Sequence, residues 1–178
     1  MAGYTLSSGS GIRPYRSPWG AFPTGQYPLS SGVSSAACYL GRLITLDTDI
    51  HQVKASTAKD ADQIVGVAAE TNSTGSSGTN LLVWESNPMV EFTVASSGTL
   101  ATSHVGAFRA LQWDSTLNIH YVGLDATTLA ATRIVITGYP DEYAVGDTNA
   151  RVNFRFLPGI PANSTVNSSV TYLAFYAR

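Results

Sequence analysis

The sequence predicts an all-β protein, a sandwich or barrel of short strands that follows an extended N-terminal arm. Three features of the 178-residue chain support this prediction. Apolar and polar residues alternate with a period of two, which is the pattern of a strand with one wet face. Clusters of Gly, Pro, Asn, Asp and Ser bound each apolar run. The two segments with helical character are too short to stand as packed helices.

The arm covers residues 1–32, where Pro14, Pro18, Pro23 and Pro28 recur every four or five residues. Prolines at this spacing forbid a helix and interrupt a strand ladder, so the sequence predicts a polyproline-like extended chain. The arm is either a flexible tail or a segment whose aromatic side chains enter pockets on a neighbouring subunit. The predicted partner-binding residues are Arg13, Tyr15, Arg16, Trp19, Phe22 and Tyr27.

The body, residues 33–178, contains the predicted strands. The clearest is at 88–94, where Val90, Phe92 and Val94 alternate with polar residues or Met, and the next clearest is the alternating run at 151–156. Further strands are predicted at 38–46, 63–70, 80–86, 105–113, 119–124, 133–139 and 170–177. Similar runs around Phe92 and Phe154 suggest two similar β units, 33–94 and 95–178, the second ending in the strand at 170–177.

The composition favours association with other protein subunits and disfavours nucleic acid or a membrane as a partner. Only 12% of residues are charged, the formal net charge is −2, and the ten Lys and Arg residues form no basic stripe. We therefore expect no nucleic-acid partner, while a surface so poor in charge favours contacts with other subunits. The sequence shows neither a signal peptide nor an apolar run of membrane-spanning length, so we expect synthesis in a cytosol-like compartment and no membrane partner.

The sequence contains no specific catalytic motif. There is no Gly-x-Ser-x-Gly nucleophile elbow and no phosphate-binding Gly-rich loop. Asp47, Asp49 and His51 share one face of an extended segment, which suits either a divalent cation or an Asp-rich hairpin turn. The acidic loops at 59–62 and 141–147 likewise suit either a cation site or a turn. Cys38 stands among small and apolar neighbours, which suits a buried side chain. We therefore predict no enzyme activity, cofactor, metal or small-molecule substrate.

The order of parts from residue 41 to residue 94 resembles the head decoration (cement) proteins of tailed bacteriophages. It begins "GRLITLD", continues through an Ala- and Asp-rich turn to "IVGVA", and then reaches a Gly/Ser loop and "LLVW". The resemblance implies a small β barrel or sandwich that trimerises on the virion and clamps major capsid protein subunits together from outside. A second β unit and a long arm depart from that pattern, so a head fibre or other virion surface protein is an alternative.

A carbohydrate-binding β sandwich is the alternative from another functional class. Trp84, Trp113 and nearby tyrosines would form its sugar-stacking platform, or else the two tryptophans belong to the core or to a subunit interface. If the arm provides the attachment, deleting residues 1–32 is expected to abolish shell binding and leave a folded body.

Overall fold

The computed structural model describes residues 11–30, 38–46, 52–56, 64–72, 79–125 and 134–157. Within these residues the chain is all-β, as predicted. The strands are β1 (Arg13–Arg16), β2 (Thr24–Pro28), β3 (Leu43–Leu46), β4 (Val53–Ala55), β5 (Ile64–Ala68), β6 (Asn80–Glu85), β7 (Glu91–Ser97), β8 (Phe108–Arg109), β9 (Leu111–Asp114), β10 (Ile119–Gly123), β11 (Ile134–Gly138) and β12 (Arg151–Phe156). A single 3₁₀ turn in the described chain spans Thr102–His104.

The smaller sheet has five strands in the order β2-β6-β5-β3-β4, and every neighbouring pair is antiparallel. Leu29, directly after β2, forms a parallel bridge with Val53 of β4, and the amide of Ser30 donates to the Val53 carbonyl at 3.0 Å. The two outer strands therefore meet, and the sheet curls around its own apolar cluster. That cluster consists of Leu29, Cys38, Ile44, Val53, Ala55, Ala68, Leu81 and Val83.

The larger sheet has seven strands in the order β8-β11-β12-β7-β10-β9, with β1 also paired to β7. Because β12 occupies one edge of β7, β1 and β10 must share the other edge. β1 pairs antiparallel with residues 91–93, and β10 pairs parallel with residues 95–97. Only Ala110 separates β8 from β9, although these strands lie at opposite ends of the order. One kinked segment therefore links both ends of the sheet.

The main core lies between the two sheets and inside the larger one. Phe92, Phe154 and Phe156 are fully buried at its centre, with ring centroids 5.2 to 5.9 Å apart. Leu43 and Val67, from the smaller sheet, belong to the same apolar cluster. Alternate residues of the smaller sheet thus face either its own interior or the larger sheet, as the period of two requires.

Most predicted strands in the described residues are confirmed, with shifted ends. The two alternating runs are β7 and β12, the run at 105–113 divides into β8 and β9, and the run at 38–46 is a strand only from Leu43. β4 was expected only as the second strand of an Asp-rich hairpin that resumes near Ile50, without bounds, because three residues are too short to show a periodic pattern. The antiparallel pairing of β3 with β4 agrees with the predicted hairpin. Its turn at 47–51, the predicted helical segments and the strand at 170–177 lie outside the described residues.

The prediction that prolines would keep the N-terminal segment out of a ladder is wrong for residues 13–16 and 24–28. These residues are β1 and β2, paired with β7 and β6. Pro14 is tolerated because β1 is joined to one strand only among those described and has a register shift next to Pro14, and Pro28 ends β2. Ile12 and Leu29 beside these strands are 0% and 1% exposed, so this segment contributes to both apolar clusters.

The predicted division of the body falls close to the change of sheet. The strands of the smaller sheet lie between residues 24 and 85, and those of the larger sheet are β1 and the strands between residues 91 and 156. The predicted boundary after residue 94 lies inside β7, because the alternating pattern that marks this strand does not show which sheet it joins.

Candidate functional site

The structure divides the six predicted partner-binding residues into an outward-facing and an inward-facing group. Arg13 and Arg16 are exposed, Tyr15 is half-buried, and Trp19 is 59% exposed. Phe22 packs against the main core, and Tyr27 packs against the cluster of the smaller sheet. Of the four aromatic residues in the set, Trp19 is the one that presents most of its surface to solvent.

Trp19 is held at the tip of a hydrogen-bonded turn between β1 and β2. The Ser17 hydroxyl donates to the Ala21 carbonyl at 2.6 Å and accepts from the Trp19 amide at 3.3 Å. The Gly20 amide donates to the Ser17 carbonyl at 3.3 Å, and Gly20 has φ +73°, a conformation that favours glycine. Local polar groups therefore fix the turn while the indole points away from the body.

The loop that joins the two sheets, residues 86–90, runs beside this turn. Arg16 is paired with Glu91 in the β1–β7 ladder, and the Glu85 amide donates to the Pro23 carbonyl at 3.0 Å. The turn and the loop are therefore joined to each other at both of their ends. Met89, in this loop, is 50% exposed. Residues 17–23 and 86–90 are called the tryptophan end below. Sequence reasoning missed Met89, which it had assigned to a strand face.

Arg16, directly before the tryptophan end, adds a positive charge, and two nearby carboxylates are already engaged by other side chains. The Glu91 carboxylate pairs with the Arg155 guanidinium at 3.0 Å, and the Glu85 carboxylate accepts from the Tyr27 hydroxyl at 2.9 Å. Burial, then the hydrogen bond and charge of Glu85, raise the pKa of Tyr27, so this hydroxyl stays a donor at neutral pH. Arg16, with its guanidinium 5.8 Å from the Tyr15 ring centroid, remains an exposed cation.

A second polar cluster lies at the junction of the two sheets. The Arg42 guanidinium carbon is 4.3 Å from the centroid of the Trp113 ring, and the His120 ring centroid is 4.8 Å from that of Trp113. Arg42 is 4% exposed and His120 is 1% exposed. Trp113 and His120 are cross-strand neighbours of β9 and β10, but Arg42 comes from a distant part of the chain, so no local pattern could have found the whole cluster.

His120 is held neutral by its surroundings. Burial, followed by the positive charge of Arg42, lowers its pKa from 6.5 to about 4. Backbone groups of Gln112 and Ser56 favour the protonated ring, but neither ring nitrogen makes a hydrogen bond of good geometry to any described residue. The junction therefore disfavours a second cation beside Arg42.

The two tryptophans of the alternative sugar platform are both partly buried. Trp84 is partly buried against the main core, and the Trp113 ring is covered by Arg42 and His120. Sugar stacking needs an aromatic face open to the ligand, so these contacts favour the structural reading of both residues.

The structure bears on several of the side chains considered above as metal ligands or nucleophiles. No three His, Cys, Asp or Glu side chains in them are grouped as a metal site. Cys38 is buried, and burial raises the pKa of its thiol despite the nearby charge of Arg42. In the acidic loop at 141–147, the Asp147 carboxylate accepts from the Ala144 amide at 2.9 Å, which is a turn role. The predicted alternatives at Asp47, Asp49 and His51 and at 59–62 lie outside the described residues.

No protein-family model, curated protein or solved structure matches the chain. Among the described residues, no helix has the length and apolar character that a membrane crossing requires.

Proposed function

We propose that the protein is a virion structural protein that binds the outside of a phage capsid and stabilises it by bridging major capsid protein subunits. The observation that carries the proposal is the tryptophan end, where a hydrogen-bonded turn presents an exposed indole beside an exposed Met and a cation. A large aromatic side chain on a rigid support is the usual anchor of a protein interface. The resemblance to head decoration proteins supports the major capsid protein as the partner.

In this proposal Trp19 enters an apolar pocket on the shell and Arg16 meets an acidic group at its rim. With 59% of the residue exposed, roughly 150 Å² of indole is available for burial, since a tryptophan buries up to about 250 Å². At about 25 cal/mol per Å², this area corresponds to about 4 kcal/mol before the costs of association. Repetition of such contacts over a shell makes the attachment strong even where each contact is weak.

The remaining parts of the proposal follow from the same resemblance. The protein is made in the host cytoplasm, assembles as a trimer and resides on the capsid surface, where its partner is the major capsid protein. A formal net charge of −2 supports a protein partner rather than a nucleic acid.

The test is the binding of purified protein to expanded heads that lack it, measured by co-sedimentation over a range of protein concentrations. Trp19→Ala should weaken binding by about 10- to 100-fold, because a central aromatic anchor contributes roughly 1.4 to 3 kcal/mol. Val105→Ala is the matched control, since Val105 is 46% exposed but lies beyond the opposite end of β7. Equal affinity of the Trp19→Ala variant and the wild type would refute this attachment.

Imaging of the native particle tests the assignment itself. Density for the protein on an icosahedral shell, with the tryptophan end facing the capsid, is the expected result. Finding the protein only on a tail or fibre, or not on the particle, would contradict the proposed function.

A further inference from the structure

Two of the exposed apolar residues lie together at the wall of a surface cleft. Tyr39 is 43% exposed and Leu40 is 54% exposed, and both line a cleft of about 460 Å³. Its other walls are the start of β1 with its preceding residues, the backbone around Gly41 and Thr71, and the turn at 117–119 between β9 and β10. The Thr71 hydroxyl accepts from the Leu40 amide at 3.1 Å, which holds this wall in place.

The loop between β11 and β12 presents an exposed apolar residue at its tip. Val145, at its tip, is 60% exposed, and the neighbouring Asp141 and Glu142 are exposed as well. The loop is ordered by its own contacts: the Asp147 amide donates to the Ala144 carbonyl at 3.1 Å, and the Asp147 carboxylate binds the Ala144 amide. This loop, residues 139–150, is called the valine knob below.

We propose that the valine knob of one copy docks into the Tyr39–Leu40 cleft of a second copy of this chain. An apolar tip flanked by carboxylates matches an apolar cleft whose lining includes the cation Arg13. Within one chain the valine knob does not fill the cleft, because Val145, Tyr39 and Leu40 all remain about half exposed or more. A second copy is therefore the occupant that covers both surfaces.

The contact joins two different surfaces, so its symmetry depends on their relative direction. When two copies exchange knob and cleft, the interface is a twofold dimer, and when each copy passes its knob to the next, the result is a closed ring or an open chain. The contact gives structural detail to the assembly in the proposed function, on which it rests only for the expectation that copies associate. Neither surface includes the tryptophan end.

The experiment measures self-association of the purified full-length protein by sedimentation velocity across concentration, without any shell. Wild type should associate, and Leu40→Asp and Val145→Asp should each weaken association at least tenfold, because each places a charge in an apolar contact. Trp19→Ala is the control and should associate like wild type. Matching thermal melts would show that the exposed substitutions leave the fold intact.

A mixture of the two Asp variants provides the decisive measurement. Leu40→Asp keeps an intact knob and Val145→Asp keeps an intact cleft, so mixing them should restore hetero-association that neither variant shows alone. A wild type that stays monomeric at every concentration, variants that associate normally, or a mixture that does not associate would each overturn the contact. Shell binding lost in Trp19→Ala with self-association unchanged would separate this result from the proposed attachment.

Discussion

Acidification should destabilise the junction between the sheets, because His120 is buried as a neutral ring beside Arg42. The pKa of His120 is about 4 in the folded protein, whereas a histidine without tertiary contacts has a pKa of 6.5. Between these values the unfolded chain binds more protons than the folded one, so stability is lost as pH falls from about 6.5 and the loss is complete below about 4. A difference of about 2.5 pKa units corresponds to about 3 kcal/mol.

The assay is urea unfolding at a series of pH values between 7 and 4, followed by tryptophan fluorescence. Carboxylates also titrate in the lower part of this range. The informative quantity is therefore the difference in unfolding free energy between the wild type and His120→Phe, which keeps a ring against Trp113 without a titrating group. The gap between the two unfolding free energies should change by about 3 kcal/mol in favour of the variant as pH falls. A gap that stays constant across pH would refute the reasoning.

Three substitutions test the packing of the sheets, each measured as a change in the free energy of unfolding. Ile12→Ala should cost about 2 to 5 kcal/mol, because the side chain is fully buried in the main core; an unchanged stability would show that the N-terminal segment is not part of the body. Gly66→Ala should cost at least about 2 kcal/mol, since a Cβ there collides with a carbonyl of β6, whereas Gly138→Ala, which meets open space, is the control. Tyr27→Phe should cost about 1 kcal/mol through loss of the hydrogen bond to Glu85.

The arm-deletion experiment has a different expected outcome once the structure is considered. Removing residues 1–32 takes away β1, β2 and the fully buried Ile12 and Leu29, so loss of shell binding would accompany loss of stability. Single substitutions at exposed positions such as Trp19 separate attachment from folding, which a deletion cannot do.

Local patterns were enough to predict the strands of the body, and the reason is physical. In a strand, residues two apart point to the same face, so a half-buried strand leaves an alternating pattern in the sequence, as β7 and β12 do. β1 and β2 were missed because Pro14 and Pro28 argue against a ladder, and only an edge position or a strand end removes that objection. That information lies in the pairing with other segments.

The predicted binding residues show the same limit. Composition identified the aromatic segment, but Trp19, Phe22 and Tyr27 look equivalent in sequence, and only packing exposes the first while covering much of the other two. The contact of Arg42 with Trp113 and His120 likewise required the sheets to meet.

The sequence alone determined the all-β class, the positions of most strands in the described chain and a surface poor in charge. These properties depend on residue types and short spacings, which act before any long-range contact forms. Tertiary structure decided which strands pair, how the N-terminal segment joins both sheets and which aromatic and apolar residues remain exposed. Those outcomes depend on burial against residues far away in the chain, and burial is a property of the packed whole.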